Sequence, residues 1–88
     1  MSEDGKRAPT KEEIDEESRR IRRLRIVVSL ALNIIAQGSM PIEEAHDLTA
    51  ATRRAALQMF PGKGEVYDLI YLPKFHQLIR EVYRHRLH

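Results

Sequence analysis

Ile26-Val-Val-Ser-Leu-Ala-Leu-Asn-Ile-Ile-Ala36 is the stretch on which the fold class turns. Wound as a helix it is apolar nearly all round, and such a helix belongs in the middle of a structure, covered by other helices of its chain or by a partner. It is also far short of the ~20 apolar residues that a membrane span needs, so the cover must be protein.

Working upstream, Thr10 followed by Glu13 has the form of a capping box, which places a helix start there. From that start Ile14, Ile21, Val28 and Ile35 recur every seven residues, with Leu24 and Ala31 between them, so one face of a single long helix is apolar throughout. Up to Arg25 this stripe is the helix's one apolar feature. Gly38 supplies the stop.

Downstream, Met40-Pro41-Ile42-Glu43 predicts a second start, with proline at the first helical position and Glu43 and Glu44 at the positive end of the helix dipole. This helix runs to about Phe60. Its expected inward face, Ala45, Leu48, Thr49, Thr52, Ala55, Ala56 and Met59, is built largely of small residues and admits a close neighbour. The short Gly38-Ser39 connection makes helices one and two antiparallel. Pro61-Gly62-Lys63-Gly64 predicts a loop, Glu65 to Tyr71 a short third helix, and Pro73 a break or kink before a fourth helix striped with Phe75, Leu78, Ile79 and Val82. No segment alternates long enough to read as a strand, and there is no internal repeat. The expectation is a small all-α domain of four helices over residues 10 to 88, behind a flexible tail at 1 to 9.

Composition bounds the function. At 88 residues with 42% hydrophobic and 32% charged side chains, the chain suits one globular domain. A domain of this size buries only ~60 to 65% of its unfolded surface, so self-association would help it. Without cysteine it has neither disulfides nor thiolate metal sites. The first ten residues carry charge without an apolar run behind it, so the expectation is a soluble, cytoplasmic protein that does not engage membranes. A net charge of +2 gives no general field for nucleic acid, which leaves local clustering to be considered.

One cluster stands in helix one, where Glu12, Glu13, Asp15, Glu16 and Glu17 precede Arg19, Arg20, Arg22, Arg23 and Arg25. Intrahelical pairing of Asp15 with Arg19 and of Glu16 with Arg20 accounts for it at ~0.2 to 0.5 kcal/mol a pair. A functional alternative joins Arg19, Arg20, Arg22 and Arg23 to Arg53 and Arg54, brought alongside by antiparallel packing, as contacts for phosphate or an acidic partner. No helix-turn-helix glycine, RNA-binding aromatic motif or zinc finger accompanies these arginines.

A second feature is the stripe itself. At ~1.5 Å per residue, residues 10 to 37 span about 40 Å against roughly 29 Å for residues 41 to 59, so helix two cannot cover the first turns of helix one. Ile14, Ile21, Leu24 and Val28 are therefore the expected self-association residues, with a homodimer as the product. Leu30, Ile26 and Ile34 point away from the stripe and also require cover.

Chemistry-bearing residues are sparse. Glu43 and His46 have the i,i+3 spacing of di-iron bundles, but the second pair and the two further glutamates are missing. His76, His85 and His88 are read as surface histidines, and Asp68 with Tyr71 or Tyr67 has no nucleophile to serve. Gly62-Lys63-Gly64 lacks the spacing of a phosphate-binding loop, and no strand precedes it. The sequence thus points to a non-enzymatic helical protein-protein interaction module that self-associates, without cofactor or metal; a nucleic-acid-binding regulator and, more remotely, a metal-binding bundle are the alternatives.

Overall fold

A computed structural model describes residues 8 to 84. The chain is all-α: α1 (Lys11–Ala36), α2 (Ile42–Met59), α3 (Gly64–Ile70) and α4 (Leu72–Tyr83), with no strand among the described residues. None of these helices is long and apolar enough to cross a membrane. The expected tail falls mostly on residues outside those described.

α1 begins where the capping box places it. Thr10 Oγ1 accepts from the Glu13 N–H at 3.1 Å, and the Thr10 N–H donates to Glu13 Oε1 at 2.8 Å, so two otherwise orphaned donors are satisfied reciprocally. The helix ends at Ala36 with Gln37 as its cap, and Gly38 turns the chain away at a φ of 70°, open to glycine at no steric cost. Pro41 is the cap residue of α2 and not its first helical residue. Its backbone is extended (φ −61°, ψ 153°), and its carbonyl accepts from Glu44 and Ala45.

At the far end the chain turns through Gly62 at φ 80° and enters α3 one residue earlier than expected. The break between α3 and α4 sits at Tyr71, ahead of Pro73. Proline has no N–H, so it is harmless within the first turn of α4, where that group would have no helical partner.

α2 and α4 pack on α1, whereas α3 packs on α2 and α4 without approaching the α1 backbone. The core draws on every helix. α1 gives Leu24, Val28, Ala31 and Ile35; α2 gives Ala45 and Ala56; α3 gives Tyr67; α4 gives Phe75, Ile79 and Tyr83. Thr49 and Thr52 are buried in the small-residue face of α2, and each satisfies its hydroxyl within its own helix. Thr49 Oγ1 donates to the Ala45 carbonyl and Thr52 Oγ1 to that of Leu48, both at 2.8 Å. Tyr83, which the α4 stripe omits, reaches back to donate from its hydroxyl to the Met40 carbonyl at 2.6 Å. That bond ties the end of α4 to the α1–α2 connection.

Within one copy the chain's own helices do not cover the segment from Ile26 to Ala36 on all sides. Val28, Ala31 and Ile35 are buried and Val27, Leu32 and Ile34 half-buried, but Ile26 and Leu30 remain 60% and 59% exposed. Because α3 is seven residues long and lies against α2 and α4, no fourth element remains to cover the outer side of α1.

Phe75, fully buried, should be the costliest single truncation in this set: Phe75→Ala is expected to lose about 3 to 5 kcal/mol. Tyr83→Phe, which removes the hydroxyl that donates to the Met40 carbonyl, should lose about 0.5 to 1.5 kcal/mol. Urea unfolding followed by helical circular dichroism measures both, and equal losses would contradict this ordering.

Candidate interaction surface

Where α1 outruns α2, the surface opens into a groove of about 330 Å³. Ile21 and Leu24 of α1 form one wall, Val66, Tyr67 and Ile70 of α3 the other, and Ala56, Leu57 and Phe60 from the end of α2 lie between them. Glu17 and Lys63 are the charged residues of its lining. Its α3 wall is continuous with an exposed apolar face, since Val66, Leu69 and Ile70 are 49%, 79% and 51% exposed. A cluster of large apolar side chains left in water beside a concavity is the usual form of a binding surface.

The expected self-association stripe is divided by the fold. Leu24 and Val28 belong to the intramolecular core, so they are not available to a second chain without unpacking α2 and α4. Ile14 is 51% exposed and Ile21 is half-buried in the groove wall. Every residue from Lys11 to Arg19 is exposed, so the first turns of α1 extend past the rest of the molecule with no cover of their own.

The arginines divide in the same way. Arg19, Arg22, Arg23, Arg25 and Arg54 are exposed and make no ion pair among the described residues. Arg20 reaches Glu16 at 4.0 Å, while the expected bond between Asp15 and Arg19 is not formed. Arg53 leaves the patch altogether. Its Nε donates to Asp68 Oδ1 at 2.7 Å and its Nη2 to Oδ2 at 3.0 Å, a two-pronged bond that pins α3 to α2. Gly64 makes room for it, because a side-chain carbon there would stand 3.0 Å from Arg53 Nη2. The two glycines of the connecting loop thus have separate structural duties: Gly62 makes the turn, and Gly64 lets the guanidinium pass.

The same bond disposes of Asp68 as an acid or base in partnership with a tyrosine. The Arg53 guanidinium holds the Asp68 carboxyl below its ordinary value of 3.8, and both carboxylate oxygens are engaged. Tyr67 packs its ring on Tyr71 at 5.4 Å, and burial pushes its ionisation up. Its hydroxyl is buried with no hydrogen-bond partner among the described residues. Glu43 and His46 are both exposed in the first turns of α2, and no three potential ligands among the described residues come together to hold a metal ion. His76 is exposed on α4; His85 and His88 lie outside the described residues.

Sequence reading missed the groove and the Arg53–Asp68 bond, since both depend on how α3 is set back by the Pro61–Gly64 turn. No family model, no curated protein and no solved structure matches the chain.

The Asp68 carboxyl has a lower pKa folded than unfolded, so its contribution to stability is full above the unfolded value and is lost as pH falls through the folded one. The stability difference between wild type and Asp68→Asn should therefore be level above about pH 5 and shrink below pH 3.8. Denaturant midpoints across that range measure it; a difference that grows on acidification would contradict the assignment.

Proposed function

We propose that this chain is a non-enzymatic helical protein-protein interaction module that self-associates, set in the cytoplasm, where a chain without cysteines forgoes no stabilising bond. What supports it above all is the uncovered start of α1, with Ile14 in water, standing beside an apolar groove shared by α1, α2 and α3. A core this small gains from burying that surface against another chain. Most of the buried or half-buried polar groups in the described residues have structural partners: Asp68 and Arg53 satisfy each other, and Thr49 and Thr52 bond within their own helix, which leaves the Tyr67 hydroxyl as the buried exception.

A second reading, nucleic-acid binding, keeps one specific observation in its favour. Arg19, Arg22 and Arg23 are exposed on consecutive turns with no ion pair among the described residues, a geometry that phosphates could use. Arg53 no longer contributes, and the remaining patch lies beside five acidic residues of the same helix.

Solution mass of the full chain, measured across a salt series with and without duplex DNA and single-stranded RNA, separates the two. The interaction module is expected to show a mass above monomer that depends on its own concentration and is unchanged by nucleic acid. A strict monomer at high micromolar concentration that gains mass only with nucleic acid, and loses it steeply with salt, would replace this reading with the second.

A further inference from the structure

Two apolar strips of α1 face water. One is Ile26 and Leu30, bordered by Arg22, Arg25, Ser29 and Asn33. The other is Ile14 with the groove beside Ile21. Charge decides between them as a surface for a second copy. On the first strip the only charged neighbours are arginines, so two copies would bring like charges together. Around the second, the acidic run from Glu12 to Glu17 is followed by the basic run from Arg19 to Arg25, with Ser18 as the divide. A parallel pair of such helices opposes acid to acid and arginine to arginine; an antiparallel pair opposes acid to arginine along most of its length.

Resting on the self-association reading above, we propose that the occupant of the groove is the first part of α1 from a second copy, laid antiparallel about a two-fold axis between Glu17 and Ser18. Ile14 of each copy then stands opposite Ile21 of the other and enters the mouth of the groove, between Ile21 and the exposed Val66 and Ile70 of α3. The register follows from the arithmetic of the helix. Asp15 and Arg22 are seven residues apart and share one flank of the stripe, so with Ile14 against Ile21 the Asp15 of one copy lies within about 3 Å of axial rise of Arg22 of the other. The bond forms twice. On the opposite flank Glu13, already tied to Thr10, approaches Arg20 in the same fashion. Arg22 has no ion pair among the described residues to surrender. Like charges approach at Glu17 and its symmetry mate, where Lys63 lines the same groove, and at Lys11 and Arg25, whose exposed side chains can diverge into solvent.

The pairing also gives cover to the first turns of α1, where every residue from Lys11 to Arg19 is exposed and a helix of that length is marginal by itself.

Two measurements on the full chain test this. The first is dimerisation by sedimentation. D15R and R22E should each weaken self-association on the order of tenfold, since each turns two attractive pairs repulsive, and an equimolar mixture of the two variants should recover it as a heterodimer. The second is cross-linking, for which the absence of native cysteine makes any introduced thiol unique. Under oxidation I14C mixed with I21C should form the mixed disulfide. I14C alone should not cross-link, because the two copies of that position would be seven residues, about 10 Å, apart along the axis. Rapid cross-linking of I14C to itself would overturn the antiparallel register. A dimer that D15R and R22E leave intact would overturn this interface while leaving self-association standing, and a strictly monomeric wild type at high micromolar concentration would remove both.

Discussion

The structure depends on one mismatch of lengths. α1 carries a single inward stripe over its full 26 residues, and the rest of the chain supplies only enough helix to cover its later part. Leu24, Val28, Ala31 and Ile35 are buried under α2 and α4, and at ~25 cal/mol per Å² of apolar surface that burial is the main favourable term holding the helices together. No residue of α1 before Leu24 is fully buried. The groove, the exposed Ile14 and the exposed Arg19, Arg22 and Arg23 all occupy the region created by that shortfall.

Within the covered part, each helix is placed by a different device. α2 comes close because its inward face is alanine and threonine, and the threonines satisfy their hydroxyls within their own helix, so no polar group opposes the contact. α4 is anchored at both ends, by Phe75 in the core and by Tyr83 on the Met40 carbonyl. α3 is too short to be held by apolar burial alone, with Tyr67 as its one buried residue, and the Arg53–Asp68 bond attaches it to α2. Such a partly exposed ion pair adds less stability than positional definition. It fixes the distance of α3 from α1, and so the width of the groove.

The same geometry divides the charged residues of α1 from those of α2. Arg53 and Arg54 are adjacent in sequence, yet one faces Asp68 and the other faces water. A patch built from all the arginines of both helices would need Arg53 to leave its carboxylate. What remains is a helix with opposite charges on its two halves, a pattern suited to recognising its own reverse more than a uniformly negative polymer.

Local rules in the sequence determine a good deal here. The Thr10–Glu13 box, the glycine at 38, the later part of the heptad-spaced stripe from Leu24 to Ile35 and the small-residue face of α2 each depend on neighbours within a few residues, and each stands in the structure as residue spacing alone requires. The reach of α1 past α2 also followed from counting residues. Tertiary structure alone decided which sides of the apolar segment would be covered, that Ile26 and Leu30 would stay in water, and that Leu24 and Val28 would be taken by the core while Ile14 was not. It alone brought Arg53 to Asp68 across fifteen residues and Tyr83 to Met40 across forty-three. The physical reason is that periodicity states which side of a helix is apolar but not which neighbour arrives there. That is set by loop geometry and by the finite length of the remaining helices, quantities that no window of sequence contains.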